Sequence, residues 1–434
     1  VNVDAAALRD QLARASTLRA EGRVVSVLGL SLKVALPGVR VGDLIEIERR
    51  GEPLLAEIVG FNDELALAMP LGELRGVGPA DRVTSSGSVL SVPAGPVLLG
   101  RVVDGFGRPI DGRDLVGASK VPAERDPPPA LSRRAVERPL ATGVRVIDTL
   151  LTLGEGQRVG LFAGSGVGKS TLLGALARGV EADVVVVALV GERGREVGEF
   201  IREILGASLS RSVVVVATSD APALERLKAA HTATAIAERF RDEGKRVMLM
   251  VDSITRFARA QREVGLAAGE PPARRGYPPS VFAALPRLLE RAGQGAQGSI
   301  TALYTVLVEG GDLDEPIADE VRGILDGHIV LDRAYASRSW YPAVDVTQSL
   351  SRVMPRCVSG QHRAAADVVR RLLGAYEAKR DLIALGAYKK GADRVVDAAL
   401  AAMPEIESLL RQNDAASNFD ESVRRLQELA KRFG

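Results

Sequence analysis

In RVGLFAGSGVGKSTLLGALAR (158–178) an apolar run, a glycine-rich turn and an amphipathic run follow one another without interruption. Few folds accept that order. A strand feeding a turn with glycine at 164, 166 and 168, then a helix carrying Leu172, Leu173, Ala175 and Leu176, is the context a phosphate-binding loop requires. Backbone amides of Gly164, Ser165, Gly166, Val167 and Gly168 can converge on an anion there, and the helix starting near Lys169 adds its positive end. Lys169 is expected on the β- and γ-phosphates, and Ser170, followed by Thr171, on magnesium. The first motif position is Ala163, where glycine is usual. A glycine-rich connection without nucleotide is the alternative, and GKS between a strand and a helix argues against it.

The length of 434 residues implies two or three domains, since single cores stop growing at about 250–300 residues. Apolar residues at 46% and charged residues at 26% suit buried cores under a polar surface. No run approaches the roughly 18 uncharged apolar residues of a membrane span, and VNVDAAALRD lacks the features of a signal peptide, so a cytoplasmic location is expected. Cys357 is the only cysteine, which excludes an internal disulfide. His231, His328 and His362 do not combine with it at zinc-site spacing, so any metal must arrive with a substrate. A net charge of +2 and 4% aromatics argue against nucleic-acid binding.

Residues 1–20 carry Leu8, Leu12, Ala15 and Leu18 at helical spacing. The resulting helix packs on the chain or a neighbouring subunit, or else contacts a membrane surface. From 21 to 93, short apolar runs (VVSVLGL, LKVAL, LIEIE, AEIVGF) broken by Gly, Pro and Asn-Asp predict a small β-barrel. The region 94–360 is assigned to an α/β nucleotide-binding domain, with a stiff Pro- and Arg-rich crossing at 121–140. Within it RVGLFAG, VVVVALV, SVVVVATS, RVMLMVD and ITALYTVLV alternate with helical stretches, the pattern of a parallel sheet covered on both faces. Residues 361–434 predict a helical C-terminal domain.

Asp252 ends the strand RVMLMVD and would emerge at the carboxyl edge of that sheet, where it can hold magnesium through water. GERGRE brings Glu192 to the same edge. A carboxylate there can orient a water for in-line attack on the γ-phosphate, and Arg193 beside it can neutralise phosphate charge. Alone, Asp252 would read as a turn or helix cap, a reading that the glycine-rich loop upstream reverses, and GERGRE standing alone would read as a Glu–Arg surface turn.

AGSGVGKST, GERGRE, VDSITRFARAQRE, GEPPARRGYPPSVF, GGDLDEPIADE and YPAVDVTQSLSR, in this order, resemble the F1-type ATPase superfamily. Within it they are most similar to the ATPases of flagellar and virulence-associated type III secretion. The resemblance implies a P-loop fold with an F1-like (RecA-like) parallel sheet, and a protein-secreting ATPase that converts ATP and water to ADP and phosphate. It places Lys169 and Ser170 on phosphate and magnesium, makes Glu192 the catalytic carboxylate, and puts Arg193 and Arg256 near the phosphates. It implies that the Tyr341 ring packs on adenine and that Arg352 is an arginine finger reaching a neighbouring subunit's site. It also implies a homo-oligomeric ring, commonly of six, whose loop GGDLDEPIADE faces a central stalk protein. Further implied partners are a stator or regulator protein, export chaperone–substrate complexes met by the C-terminal domain, and the membrane export gate, with peripheral association at the inner membrane. The leader before the barrel is short for the family, which leaves stator binding through it open. A rotary F/V-type synthase subunit shares the chemistry and is the alternative. A non-catalytic subunit is disfavoured by Glu192, and an RNA translocase by charge and composition.

Overall fold

The computed structural model describes residues 20–413 and 415–434. The helix expected over residues 1–20 therefore falls outside the described residues, except for Ala20, which opens a strand. Six antiparallel strands between Ala20–Leu28 and Arg82–Val89 close into a barrel. Alternation sets its inside: in Asp43–Ile47, residues Asp43, Ile45 and Ile47 are buried while Glu46 is exposed, as a strand with one face on a core requires. Val24, Leu32, Val34, Ile45, Ile47 and Ile58 fill that interior.

The central sheet runs in the order 344–351, 327–331, 158–163, 299–307, 246–252, 184–192, 212–218, 101–104, with a short strand 293–294 alongside 299–307. All neighbours on the main path are parallel except the pair 327–331 and 344–351. Its uninterrupted apolar runs have a physical reason. Along Val184–Glu192, residues Val184, Val186, Ala188 and Val190 enter one core, and Val185, Val187 and Leu189 enter another. The first core lies under the helices Ala223–Asp242, Ile254–Ala267 and Pro279–Leu289. The second lies under the helix Lys169–Gly179 and the three C-terminal helices, Gly360–Ala384, Arg394–Leu410 and Phe419–Phe433. The helical end of the chain thus shares a core with the helix that follows the glycine-rich loop.

The segment 121–140 lies along the central domain. Ser119–Pro122 pairs with Ser91–Ala94, and Arg133 and Arg134 donate to the carbonyls of Glu290 and Gly295. An ionic cluster, buried at Lys228 and Glu57 and open to solvent at Glu124, ties the barrel on. Lys228 of the helix Ala223–Asp242, with a side chain 5% exposed, pairs with Glu57 of the barrel at 2.7 Å and with Glu124 at 2.5 Å. Removing only the cation leaves a buried carboxylate uncompensated, so Lys228→Met is expected to destabilise the chain by about 3–5 kcal/mol. A thermal melt with an unshifted first transition would contradict this.

Candidate active site

Three consecutive sheet neighbours, 158–163, 299–307 and 246–252, together with 184–192, deliver the site at their common carboxyl edge. The strand Arg158–Ala163 ends in the glycine-rich turn, where Gly166 and Gly168 hold φ of 77° and 90°. Side chains are strained there, which explains the glycines. Lys169 begins the helix, and Ser170 and Thr171 are exposed at its first turn. The cleft above measures about 990 Å³, and residues 163–171 form one wall.

Asp252 ends its strand 3% exposed. It accepts a 2.6 Å hydrogen bond from Thr305 Oγ1 on the neighbouring strand and pairs with Lys169 Nζ. Glu192 stands three residues past Leu189, the register partner of Asp252. Gly191, at φ 67°, turns the chain just before it, and a Cβ there would meet the Arg256 side chain at 3.0 Å. The Glu192 carboxylate lies 3.4 Å from Lys169 Nζ and pairs with Arg256. Burial raises that carboxyl, but the Arg256 hydrogen bond and the Lys169 charge outweigh burial and hold it below its ordinary value. It is ionised at neutral pH. Its contribution to this cluster is present above the unfolded carboxyl's pKa and is lost as pH falls through the lowered value.

Lys169 and Arg256 therefore face Glu192 and Asp252, two cations against two carboxylates. Arg256 is placed by its helix, whose N-cap Ser253 accepts from the Arg256 amide. Arg193 borders the cleft, but its guanidinium is 76% exposed and pairs with Glu196. Tyr341 is 43% exposed. Its ring rests against the loop, where a Cβ on Gly168 would lie 3.3 Å from it. Arg352 stands elsewhere. It follows the edge strand Val344–Ser351, is exposed, and its amide donates to Asp326 just before Gly327. Gly327 opens the strand whose other end, Leu331, is level with Ala163. Arg352 is thus roughly 13 Å or more down the sheet from the glycine-rich loop, at the opposite edge.

Arg259 and Arg333 also line the cleft, and the sequence motifs do not single them out. Arg259 follows Arg256 by three residues on one helix, a spacing that places both on one face and could have flagged it. Arg333 reaches the Ser165 carbonyl at 3.5 Å, and no local pattern announces it. The loop GGDLDEPIADE contributes Gly310, Gly311 and Leu313 to the cleft. Its acids Asp312, Asp314 and Asp319 pair, largely in solvent, with Arg275, Arg322 and Arg274.

Residues 143–351 match the ATP synthase alpha/beta family, nucleotide-binding domain, and residues 358–428 match the T3SS EscN ATPase C-terminal domain. The type 3 secretion system ATPase of Xanthomonas euvesicatoria is 54% identical over 421 residues, covering 96% of this chain and 95% of the relative. The chain belongs to the ATPase family of type III secretion and flagellar export. The flagellum-specific ATP synthase of Bacillus subtilis is 53% identical and 94% of each chain is covered. Among solved structures, the assembled EscN ATPase of enteropathogenic E. coli superimposes with a TM-score of 0.89 at 44% identity, covering 94% of this chain and all of that one. EscN in complex with its central stalk EscO gives 0.87. The rotary synthase alternative is the less supported, because the helical end matches the secretion-type domain and the relatives carry export names. Among the described residues, no helix is long and apolar enough to cross a membrane.

Proposed function

We propose that this export ATPase hydrolyses Mg-ATP as a ring of six copies, each cleft being completed by Arg352 of a neighbouring copy. The observation that carries this reading is the split between the two edges of the sheet. Lys169, Glu192, Arg256 and Asp252 meet at one edge, and Arg352 stands at the other. A single chain holds the groups for binding phosphate and for activating water, but its Arg352 stands at the far edge of the sheet from them. The assembled state of EscN is in keeping with this.

In the proposed mechanism the glycine-rich loop and Lys169 bind the β- and γ-phosphates, and Tyr341 packs on adenine. Phosphate oxygens compete with Glu192 for Lys169 and Arg256, which frees one carboxylate edge to orient water and accept its proton. Arg193, exposed beside Glu192, adds positive charge near the phosphates. Magnesium fits the donor set. Among the described residues, no cluster of three or more His, Cys, Asp or Glu could hold an ion alone, and magnesium bound with phosphates needs only one or two protein oxygens. Ser170 and Asp252 would hold it, and it would supply charge neutralisation on the phosphates. The neighbour's Arg352 contributes about 10³–10⁵ in rate, or roughly 4–7 kcal/mol of barrier.

Hydrolysis is then coupled to release of export substrates from chaperones and to their unfolding for passage through the membrane export gate. The C-terminal helices carry the chaperone contact, a stator or regulator protein holds the ATPase at the cytoplasmic face of the inner membrane, and a central stalk meets the loop 310–320. The complex of EscN with EscO supports the last of these. The test of the ring is the magnesium-dependent ATPase rate per subunit across a wide range of protein concentration. The rate per subunit rises with concentration if the sites are shared, whereas a full rate at the lowest, monomeric concentration would overturn the reading.

A further inference from the structure

Gln412 lies in the turn after the C-terminal helix Arg394–Leu410, far in sequence from the residues of the candidate site. Its side chain is fully engaged. Oε1 accepts from the Arg145 amide at 2.8 Å, and Nε2 donates to the carbonyls of Gly143 and Ala415, each at 2.7 Å. Its backbone amide donates to the Tyr341 carbonyl at 2.9 Å.

These bonds reach both ends of the helix Lys169–Gly179. At its far end Gly143 packs so closely on Gly179 that a Cβ on Gly143 would lie 3.1 Å from the Gly179 Cα. At its near end the Tyr341 ring rests on Gly168. The Arg145 side chain grips the same turn, donating to the carbonyls of Leu409 and Arg411. Arg411 in turn donates to the Ser339 carbonyl at 3.1 Å, two residues before Tyr341.

We infer that Gln412 is a positioning residue for the base side of the nucleotide site: it fixes the Tyr341 main chain relative to the loop helix. The inference rests on the proposed packing of Tyr341 on adenine. Gln412 itself touches neither substrate nor reacting atoms. It acts only through the tyrosine, and this makes its effect separable.

The experiment is a double-mutant cycle in steady-state ATP hydrolysis, using the full chain with melts as a check on folding. Gln412→Ala keeps the amide bond to Tyr341 but frees the turn that carries it from Arg145, Gly143 and Ala415, and is expected to raise KM for ATP about 3- to 10-fold with little change in kcat, because uniform binding is lost and the phosphate machinery is untouched. Tyr341→Ala should raise KM at least as much, and the double variant no further than Tyr341→Ala alone. An additive double variant, a fall in kcat at constant KM, or an unchanged KM for Gln412→Ala beside a raised one for Tyr341→Ala would each overturn the role of Gln412 and leave the adenine reading standing. An unchanged KM for Tyr341→Ala would sink the adenine reading and this inference with it. Should Gln412→Ala fail to fold, Arg145→Ala removes the other side-chain hold on the same turn, and the same cycle with Tyr341→Ala decides the question.

Discussion

Glu192→Gln should cut turnover by about 10²–10⁴-fold and leave ATP affinity within a few-fold of the original. The substitution is nearly isosteric. The amide oxygen can still accept from Arg256, so the turn at Gly191 and the placement of Arg256 persist. What the amide cannot do is take a proton from water. The carboxylate it replaces is held ionised at neutral pH by Arg256 and Lys169 against the cost of burial, so the proposed base is lost outright. Single-turnover hydrolysis measured beside equilibrium ATP binding separates the two effects. Turnover within tenfold of wild type would remove Glu192 from the chemistry, and a matched loss of binding would make it a phosphate-site residue instead.

Arg352→Ala should lower the assembled rate by about 10³-fold or more, with ATP binding to the isolated chain and the melting temperature both unchanged. Both halves follow from its position. The side chain is exposed after the edge strand, and only its backbone amide, which alanine retains, bonds to Asp326. Nothing in the chain's own cleft depends on it. The specific rate of this variant should stay flat as concentration rises while that of the wild type climbs. Weakened ATP binding by the monomer would contradict the assignment, as would a rate that still climbs in parallel with wild type.

The sheet was legible where strands are buried on both faces. The five long apolar runs, from Arg158–Ala163 to Ser299–Leu307, all take their places in it, because two-sided burial removes every polar position from the pattern. The remaining main-path strands were not. Arg101–Asp104 and Gly327–Leu331 are short, and Val344–Ser351 is an edge strand whose Thr347, Gln348 and Leu350 are exposed. Lys169, Glu192 and Asp252 could be found because each follows or ends a readable strand. Thr305, Arg333 and Gln412 could not, since Thr305 becomes a partner of Asp252, Arg333 a wall of the cleft, and Gln412 a brace for Tyr341 only after distant segments are brought together. The finger role of Arg352 rests on family resemblance alone, and the proposed shared site takes up its position at the far edge from its own cleft.

The most direct test of the shared site is subunit mixing. Glu192→Gln keeps the finger and lacks the base; Arg352→Ala keeps the base and lacks the finger. Mixed in equal amounts and allowed to assemble, the two nearly inactive variants should pair an intact base with an intact finger at roughly a quarter of the interfaces of a ring. Magnesium-dependent ATPase activity should therefore recover well above the sum of the separate variants, and only at concentrations that permit assembly. A mixture no more active than that sum, in rings shown to contain both variants, would contradict an active site built from two subunits.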